Sequence, residues 1–388
     1  MFKILQGLTL GLLTFSASAT TFNLSDENTR VVGHNLVVYS HHEDTLLDIA
    51  RQFDIGYREI VNANPGVDPW LPGENVRVLV PNRFILPDMP QKGIVINLAE
   101  MRLYYYPKTQ KGEQRQVITH PIGIGREGWS TPLGKARITT KIKDPTWTPP
   151  ASIHAEHIEK GDPLPQVVPA GPDNPLGAYK MNLSIPGYLL HGTNRPYGVG
   201  MRVSHGCIRL FPEDIEHLFG IVTINTPVEI VYQPYKAALD ETGQLFLEAH
   251  KQQQDISQLD GTNRTPIVSA IIKVQDKALT DEEWHFSEKL AREQSGVVEH
   301  INQDALDHLI DDVWFIHAGV SQDAKLKLAH ASTSLNLNDY FWPMQGAAEG
   351  EVLIGPFENK QEADKVALEI KRLVNISVWT TLVSSDAL

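Results

Sequence analysis

The sequence predicts a multidomain protein in which a mainly-β domain stands between a small βααβ unit and a terminal α+β domain. Three observations predict this. Turn-separated runs of β-branched and aromatic residues crowd the middle of the chain, two helical apolar patterns sit between two strand patterns near its start, and strand and amphipathic-helix patterns alternate at its end. At 388 residues the chain has room for two or three domains of ordinary size.

Residues 1–19, MFKILQGLTLGLLTFSASA, read as a secretory signal peptide. Lys3 supplies the early charge, Leu8 to Phe15 the apolar run, and Ala17-Ser18-Ala19 the small-residue ending, with cleavage expected after Ala19. That run is shorter than the roughly 20 apolar residues a membrane helix needs, and no later segment comes nearer. No cysteine follows the cut to take a lipid. The expected product is soluble and extracytoplasmic.

Residues 35–82 run strand, helix, helix, strand. Leu46, Leu47, Ile49, Ala50 and Phe53 carry the first helical pattern, Tyr57 to Ala63 the second, Asn64-Pro65-Gly66 stops it, and Val76 to Val80 closes as a strand. On Asp44-Thr45-Leu46, Asn62-Ala63-Asn64-Pro65 and Leu71-Pro72-Gly73 the unit resembles a LysM module. The resemblance implies binding of glycans that contain N-acetylglucosamine.

Residues 92–232 carry GIVINLAEMRLYYYP, QVITHPIGIG and KARITTKI, each a strand pattern bounded by turn residues. Pro and Gly thicken between Asp144 and Gly187, and that stretch is expected to be a long ordered loop or lid. Residues 233–308 read as a charged, partly helical connector. In residues 309–388, strands are expected at Val313 to Gly319, Glu351 to Phe357 and Val378 to Val383, with helices at Asp323 to Ser332 and Lys360 to Leu373. The Gly355-Pro356-Phe357 strand followed by a helix resembles a SPOR domain, which implies binding to peptidoglycan strands stripped of their peptides.

Charge is uneven. Lys+Arg against Asp+Glu is 6 to 10 over residues 1–91, 15 to 12 over 92–232 and 13 to 25 over 233–388. An acidic, exported chain without a basic stripe is a poor nucleic-acid binder. The slightly basic centre suits an anionic partner such as cell-wall peptide carboxylates.

The chain has one cysteine, Cys207, within HGTNRPYGVGMRVSHGCIRL at residues 191–210. In an oxidising compartment a lone cysteine is an inert buried residue, half of an intermolecular bond, or a functional thiol. Two histidines flank this one, and a thiol becomes a strong nucleophile when an imidazole takes its proton. If His205 and Cys207 lie on one strand end, they share a face. The amides around Gly206 and Cys207 then serve as an oxyanion hole. His191 sits at a strand end, and Gly198 and Gly200 let the loop from Asn194 to Arg202 bring it beside Cys207. Arg209 is a candidate fork for a carboxylate or the partner of Glu213 or Asp214. Trp129, Thr131 and Gly134 are expected to hold a loop.

These residues, with IGIGREGWSTPLG at 122–134 and DPTWTPP at 144–150, resemble the L,D-transpeptidase catalytic domain over about Gly93 to Tyr232, in the arrangement of periplasmic Gram-negative enzymes. The resemblance implies that Cys207 attacks the diaminopimelate carbonyl of a tetrapeptide stem, releases D-Ala and forms a thioester that an amine resolves. It implies His191 as base, His205 and Gly206 as further catalytic residues, and Arg209, Thr193 and Ser204 as substrate-binding residues, with Thr193 holding the second nitrogen of His191. The implied partners are stem peptides and glycan strands, with an outer-membrane lipoprotein lysine as one acceptor. No cofactor or metal is implied: the histidines include no HExxH, and ligation would silence the thiol. A hydrolase or L,D-carboxypeptidase using the same thioester, and a non-catalytic peptidoglycan-binding protein, are the alternatives.

Overall fold

The computed structural model describes residues 20–110, 112–253, 265–301, 313–319, 341–342, 351–357, 360–374 and 378–383. The leader read in residues 1–19 lies outside them. Among the described residues no helix is long and apolar enough to cross a membrane.

The chain enters as β1 (Thr20–Leu24) and passes through β2 (Val31–Gly33) into the βααβ unit. That unit comprises β3 (Leu36–Tyr39), α1 (Leu46–Gln52), α2 (Tyr57–Ala63) and β4 (Arg77–Val80), with β3 and β4 antiparallel. Its helix limits follow from capping. Thr45 and Asp48 form a capping box on α1. The Gly56 amide donates to the Glu59 carboxylate at 2.6 Å at the start of α2. Asn64 ends α2, and its buried side chain bonds the carbonyls of Ile60 and Leu79 and the Leu79 amide, each at 2.7 Å. This residue staples helix to strand, so it does structural work in the turn.

After the short β5 (Arg83–Ile85) come the other members of the central sheet. They are β6 (Gly93–Asn97), β7 (Arg102–Tyr106), β8 (Arg115–Pro121), β10 (Gly134–Lys143), β11 (Tyr179–Leu183), β12 (Leu189–His191), β14 (Ile208–Arg209) and β15 (Pro227–Val231). With β1 they make nine strands in the order β1-β8-β7-β6-β15-β10-β11-β12-β14. Two further strands, β9 (Ile124–Gly125) and β13 (Arg202–Ser204), pair in parallel beside it. Every residue of β7 is buried because both faces are covered. Leu103 and Tyr105 point into a core closed by Ile215 and Leu218 of α4 (Pro212–Ile221), while Tyr104 and Tyr106 join Leu46, Ile49, Phe53, Ile60 and Val78 of the βααβ unit. The small unit therefore shares a core with the sheet. Arg102 extends this across the junction, with Nε and Nη2 on the two Glu59 oxygens at 2.8 and 2.9 Å and Nη2 also on the Asp54 carbonyl.

Two expectations need correction. The Pro/Gly-dense stretch is not all loop: it holds α3 (Ala151–Glu159) as well as β11. Only Ile153 of α3 is buried, so the helix carries no apolar stripe to read, and Pro150 at its start reads equally well as a loop residue. Residues 233–308 are more than a helical connector. Their described residues form a three-stranded antiparallel sheet of β16 (Tyr235–Leu239), β17 (Leu245–Ala249) and β18 (Glu299–His300), packed with α5 (Thr265–Val274) and α6 (Asp281–Glu293) around Leu247, Ile271 and Leu290.

At the end of the chain β19 (Val313–Gly319), β20 (Phe341–Trp342), β21 (Glu351–Phe357) and β22 (Val378–Val383) make an antiparallel sheet in the order β20-β21-β19-β22. Helix α7 (Lys360–Val374) contacts β19, β21 and β22, burying Ala363 and Ile370. The helix expected from Asp323 to Ser332 lies outside the described residues.

Candidate active site

Cys207 occupies the turn between β13 and β14. Ser204 shapes that turn: its hydroxyl donates to the Cys207 carbonyl at 2.6 Å and accepts the Gly206 amide at 3.1 Å. Gly206 has φ +102°, and a Cβ there would fall 2.9 Å from the Tyr188 ring, so both the turn and the packing require glycine. Thr131 donates to the Gly206 carbonyl at 2.8 Å, a loop-holding role as expected.

These contacts alter three expectations. His205 and Cys207 do not lie on a strand, and the bend at Gly206 sends His205 elsewhere. Its Nε2 is 2.9 Å from Glu156 Oε2 and 3.0 Å from Arg126 Nη2, and its ring stands edge-on to Trp129 at 4.8 Å. The Gly206 amide is already taken by Ser204, so Gly206 and Cys207 do not present two free amides side by side. Ser204 is buried and spends its hydroxyl on the turn that carries Cys207, where a substrate-facing side chain was expected.

His191 ends β12, opposite Arg209 of β14 and Lys180 of β11. It is buried, and its Nδ1 has no hydrogen-bond partner. Burial, followed by the positive charges of Arg209 and Lys180, pushes it down to about 3, so the imidazole is neutral. Thr193 does not hold it: the Thr193 hydroxyl accepts the Arg195 amide at 2.9 Å. The Cys207 thiol is raised by burial, against which the Leu189 amide and Arg209 act; its Sγ lies 3.7 Å from the Gly187 carbonyl. Among the described residues neither His191 nor His205 is hydrogen-bonded to Sγ.

Arg209 is not paired with either expected acid. Glu213 is held by Arg51 at 2.8 Å and Asp214 by His120 at 3.3 Å. Burial lowers the guanidinium, and its Nε has no partner. The loop after His191 does fold back. Gly198 lies against Arg209, where a Cβ would meet Nη1 at 2.8 Å, and the carbonyls of Val199 and Gly200 accept the amides of Tyr57 and Arg58 at the start of α2. The βααβ unit thus anchors the loop that covers Arg209.

Sequence reading missed Glu156 and Arg126. Glu156 contacts Arg126, Lys160 and His205, and these bonds hold its carboxyl well below the usual range. Its signal was the Pro149-Pro150 start of a helix, but nothing in the sequence joins that helix to His205. If His205 belongs to the machinery, Glu156→Ala should lower the acylation rate of Cys207 by roughly tenfold or more, as misplacement of a site group does. Single-turnover acylation followed by intact mass checks this, and an unchanged rate would remove His205 from the reaction.

The model of the L,D-transpeptidase catalytic domain family matches residues 91–230. The chain is 43% identical over 256 residues to the "Probable L,D-transpeptidase YbiS" of Escherichia coli K12, covering 65% of this chain and 82% of that protein. It is 41% identical over 280 residues to the "Probable L,D-transpeptidase YcfS" of the same strain, covering 70% and 85%. It is 39% identical over 243 residues to the "Probable L,D-transpeptidase ErfK/SrfK" of Salmonella typhimurium LT2, covering 62% and 77%. A match of this identity across more than four-fifths of a relative, beside a family model that covers the residues around Cys207, shows that the chain belongs to the L,D-transpeptidase family.

Proposed function

We propose that the protein is a peptidoglycan L,D-transpeptidase with Cys207 as nucleophile. Sγ attacks the carbonyl of diaminopimelate at the third position of a tetrapeptide stem, and the tetrahedral oxyanion rests on the Cys207 amide. The amide bond to D-Ala breaks, D-Ala leaves with the thiol proton delivered through His191, and a thioester remains. An incoming amine, from a second diaminopimelate or a lipoprotein lysine, then displaces Cys207, which regains a proton. The observation that carries this reading is the half-buried guanidinium of Arg209, its buried Nε without a partner and unpaired by Glu213 or Asp214, two residues from the sole cysteine and opposite His191.

Arg209 does two things in this scheme. It receives a stem carboxylate, the charge its site lacks. Because its own charge helps to depress His191, that carboxylate also relieves the depression and makes the imidazole a better base when substrate is present. Thr193 and Ser204 act by shaping the backbone on either side.

The flanking units fit a wall-bound role. Residues 35–82 expose Trp70, 54% accessible, beside Tyr57 at 6.4 Å, an aromatic edge suited to a LysM-type sugar contact. Residues 309–388 act as a SPOR-type glycan binder, and residues 1–19 direct the chain to the periplasm. Two tethered glycan binders raise the local concentration of stems around Cys207.

The testing experiment is mass spectrometry of products after the mature protein meets tetrapeptide-rich sacculi, beside Cys207→Ala. Dimers joined through two diaminopimelates support cross-linking. Tripeptides without dimers, unchanged by added lipoprotein, overturn transpeptidation in favour of a hydrolase. The resting protonation states give a second check. A thiol held above its ordinary value should keep gaining reactivity toward iodoacetamide beyond the pH at which a free thiol levels off. A plateau near neutral pH would show a preformed thiolate instead.

A further inference from the structure

Asp54, His120 and Asp214 meet in a second buried cluster, at the junction of the βααβ unit, β8 and α4. His120 Nδ1 lies 3.4 Å from Asp54 Oδ2 and 3.3 Å from Asp214 Oδ1, with the side chains 0%, 4% and 3% exposed. Those distances are long for hydrogen bonds. Both nitrogens of His120, Asp54 Oδ1 and Asp214 Oδ2 are left without partners. Burial tends to discharge His120, but Asp214 and Asp54 overcome it and lift the imidazole to about 10. A protonated His120 offsets one of the two carboxylates. Burial, then Asp54, lifts Asp214 to about 7 against the pull of His120. His217 stands edge-on to His120 at 6.1 Å, but burial and His120 depress it, so it brings no second cation; Glu213 is occupied by Arg51.

The junction with residues 233–308 shows such a cluster in balance. There Glu100, Glu248 and His250 surround the Lys236 ammonium, whose Nζ lies 2.7 Å from Glu100, 3.1 Å from Glu248 and 2.6 Å from the Ile85 carbonyl. At the Asp54 cluster no lysine enters among the described residues; the backbone nitrogen of Thr20 reaches its edge, 3.2 Å from Asp54 Oδ2. The pairing of β1 with β8 sets Thr20 opposite Thr119, next to His120.

We propose that Asp54, His120 and Asp214 form a binding site for the α-ammonium group that cleavage after Ala19 creates on Thr20. The proposal rests on reading residues 1–19 as a cleaved leader. In the precursor, Thr20 nitrogen is an amide with one proton and no charge. After hydrolysis of the Ala19–Thr20 bond it is an ammonium with three protons and one positive charge, the charge the cluster lacks. Maturation thereby adds a charge to the contact that ties the edge strand β1 to Asp54 of the βααβ unit, and Asp54 shares His120 with Asp214. The unprocessed chain lacks this charge and is the looser form.

The test uses the exported full chain, whose intact mass should begin at Thr20. A second form carries one glycine inserted after Ala19, so that processing leaves the amine one residue away from Asp54. Both are made with and without Asp54→Asn. The insertion should lower Tm by roughly 3 °C or more with Asp54 present and change it little in the Asp54→Asn background, because the ion pair is then absent from both forms. Acetylation of the native protein provides a readout free of mutations: Thr20 should be modified at least ten times more slowly than after unfolding.

A first residue other than Thr20 overturns the leader reading. A first residue of Thr20 with equal insertion effects in both backgrounds, or with rapid acetylation, overturns the ammonium site alone. Stoichiometric divalent metal in the purified native protein also overturns it, since the three side chains would then be metal ligands.

Discussion

Cys207→Ala is expected to leave the protein folded and abolish acylation, whether by stem peptide or by a carbapenem. The expectation follows from what the thiol does not do. The turn that carries residue 207 is held by Ser204, Thr131 and the Gly206 backbone, none of which bonds Sγ. Replacing Sγ with hydrogen therefore removes little packing, from a residue that is only half-buried. The chemical loss is total, because no other cysteine can accept the acyl group. Removal of a nucleophile from an assembled site costs on the order of a millionfold in turnover. Intact mass after carbapenem treatment reads the result: the wild type gains one adduct and the variant none. An equal gain in both would place the acyl group on another residue and sink the assignment.

The parts of the molecule that are legible in sequence are those whose partners lie close along the chain. Thr45 caps three residues ahead, Asn64 stops its own helix, and His191 to Arg209 spans one short crossover whose strands pair directly. What escapes depends on long-range contacts. Glu156 reaches His205 from 49 residues away, and Arg126 from 79. The strands in residues 233–308 lie among charged helical windows, and β17 is buried along its whole length, so it shows no alternation. Gly206 misleads in a different way. Spacing favours a strand through residues 205–207, but a positive φ at Gly206 reverses the side to which His205 points, and spacing alone does not record a φ. For Arg209 the sequence allows either a substrate carboxylate or an internal ion pair, and long-range contacts commit the two acids nearest in sequence, Glu213 and Asp214, to Arg51 and His120.

His191→Ala should lower the acylation rate by about a hundredfold or more, the usual cost of losing a general base. Its pH dependence distinguishes base catalysis from mere packing. In the wild type, His191 is neutral down to about pH 3, so kcat/KM, which reports the free enzyme, should show no acid limb near the ordinary histidine range of about 6.5. Without His191, the reaction must wait for thiolate that forms unaided from a thiol raised by burial. The variant's rate should then rise about tenfold per pH unit between roughly pH 6 and 8, because thiolate grows in that proportion below the thiol's pKa. The deficit would be largest at low pH and shrink toward high pH. A hundredfold loss that is the same at every pH would mean that His191 supports the site without moving the proton. A near-wild-type rate would transfer the base role to His205, whose Nε2 would first have to leave Glu156 and Arg126 to reach Cys207.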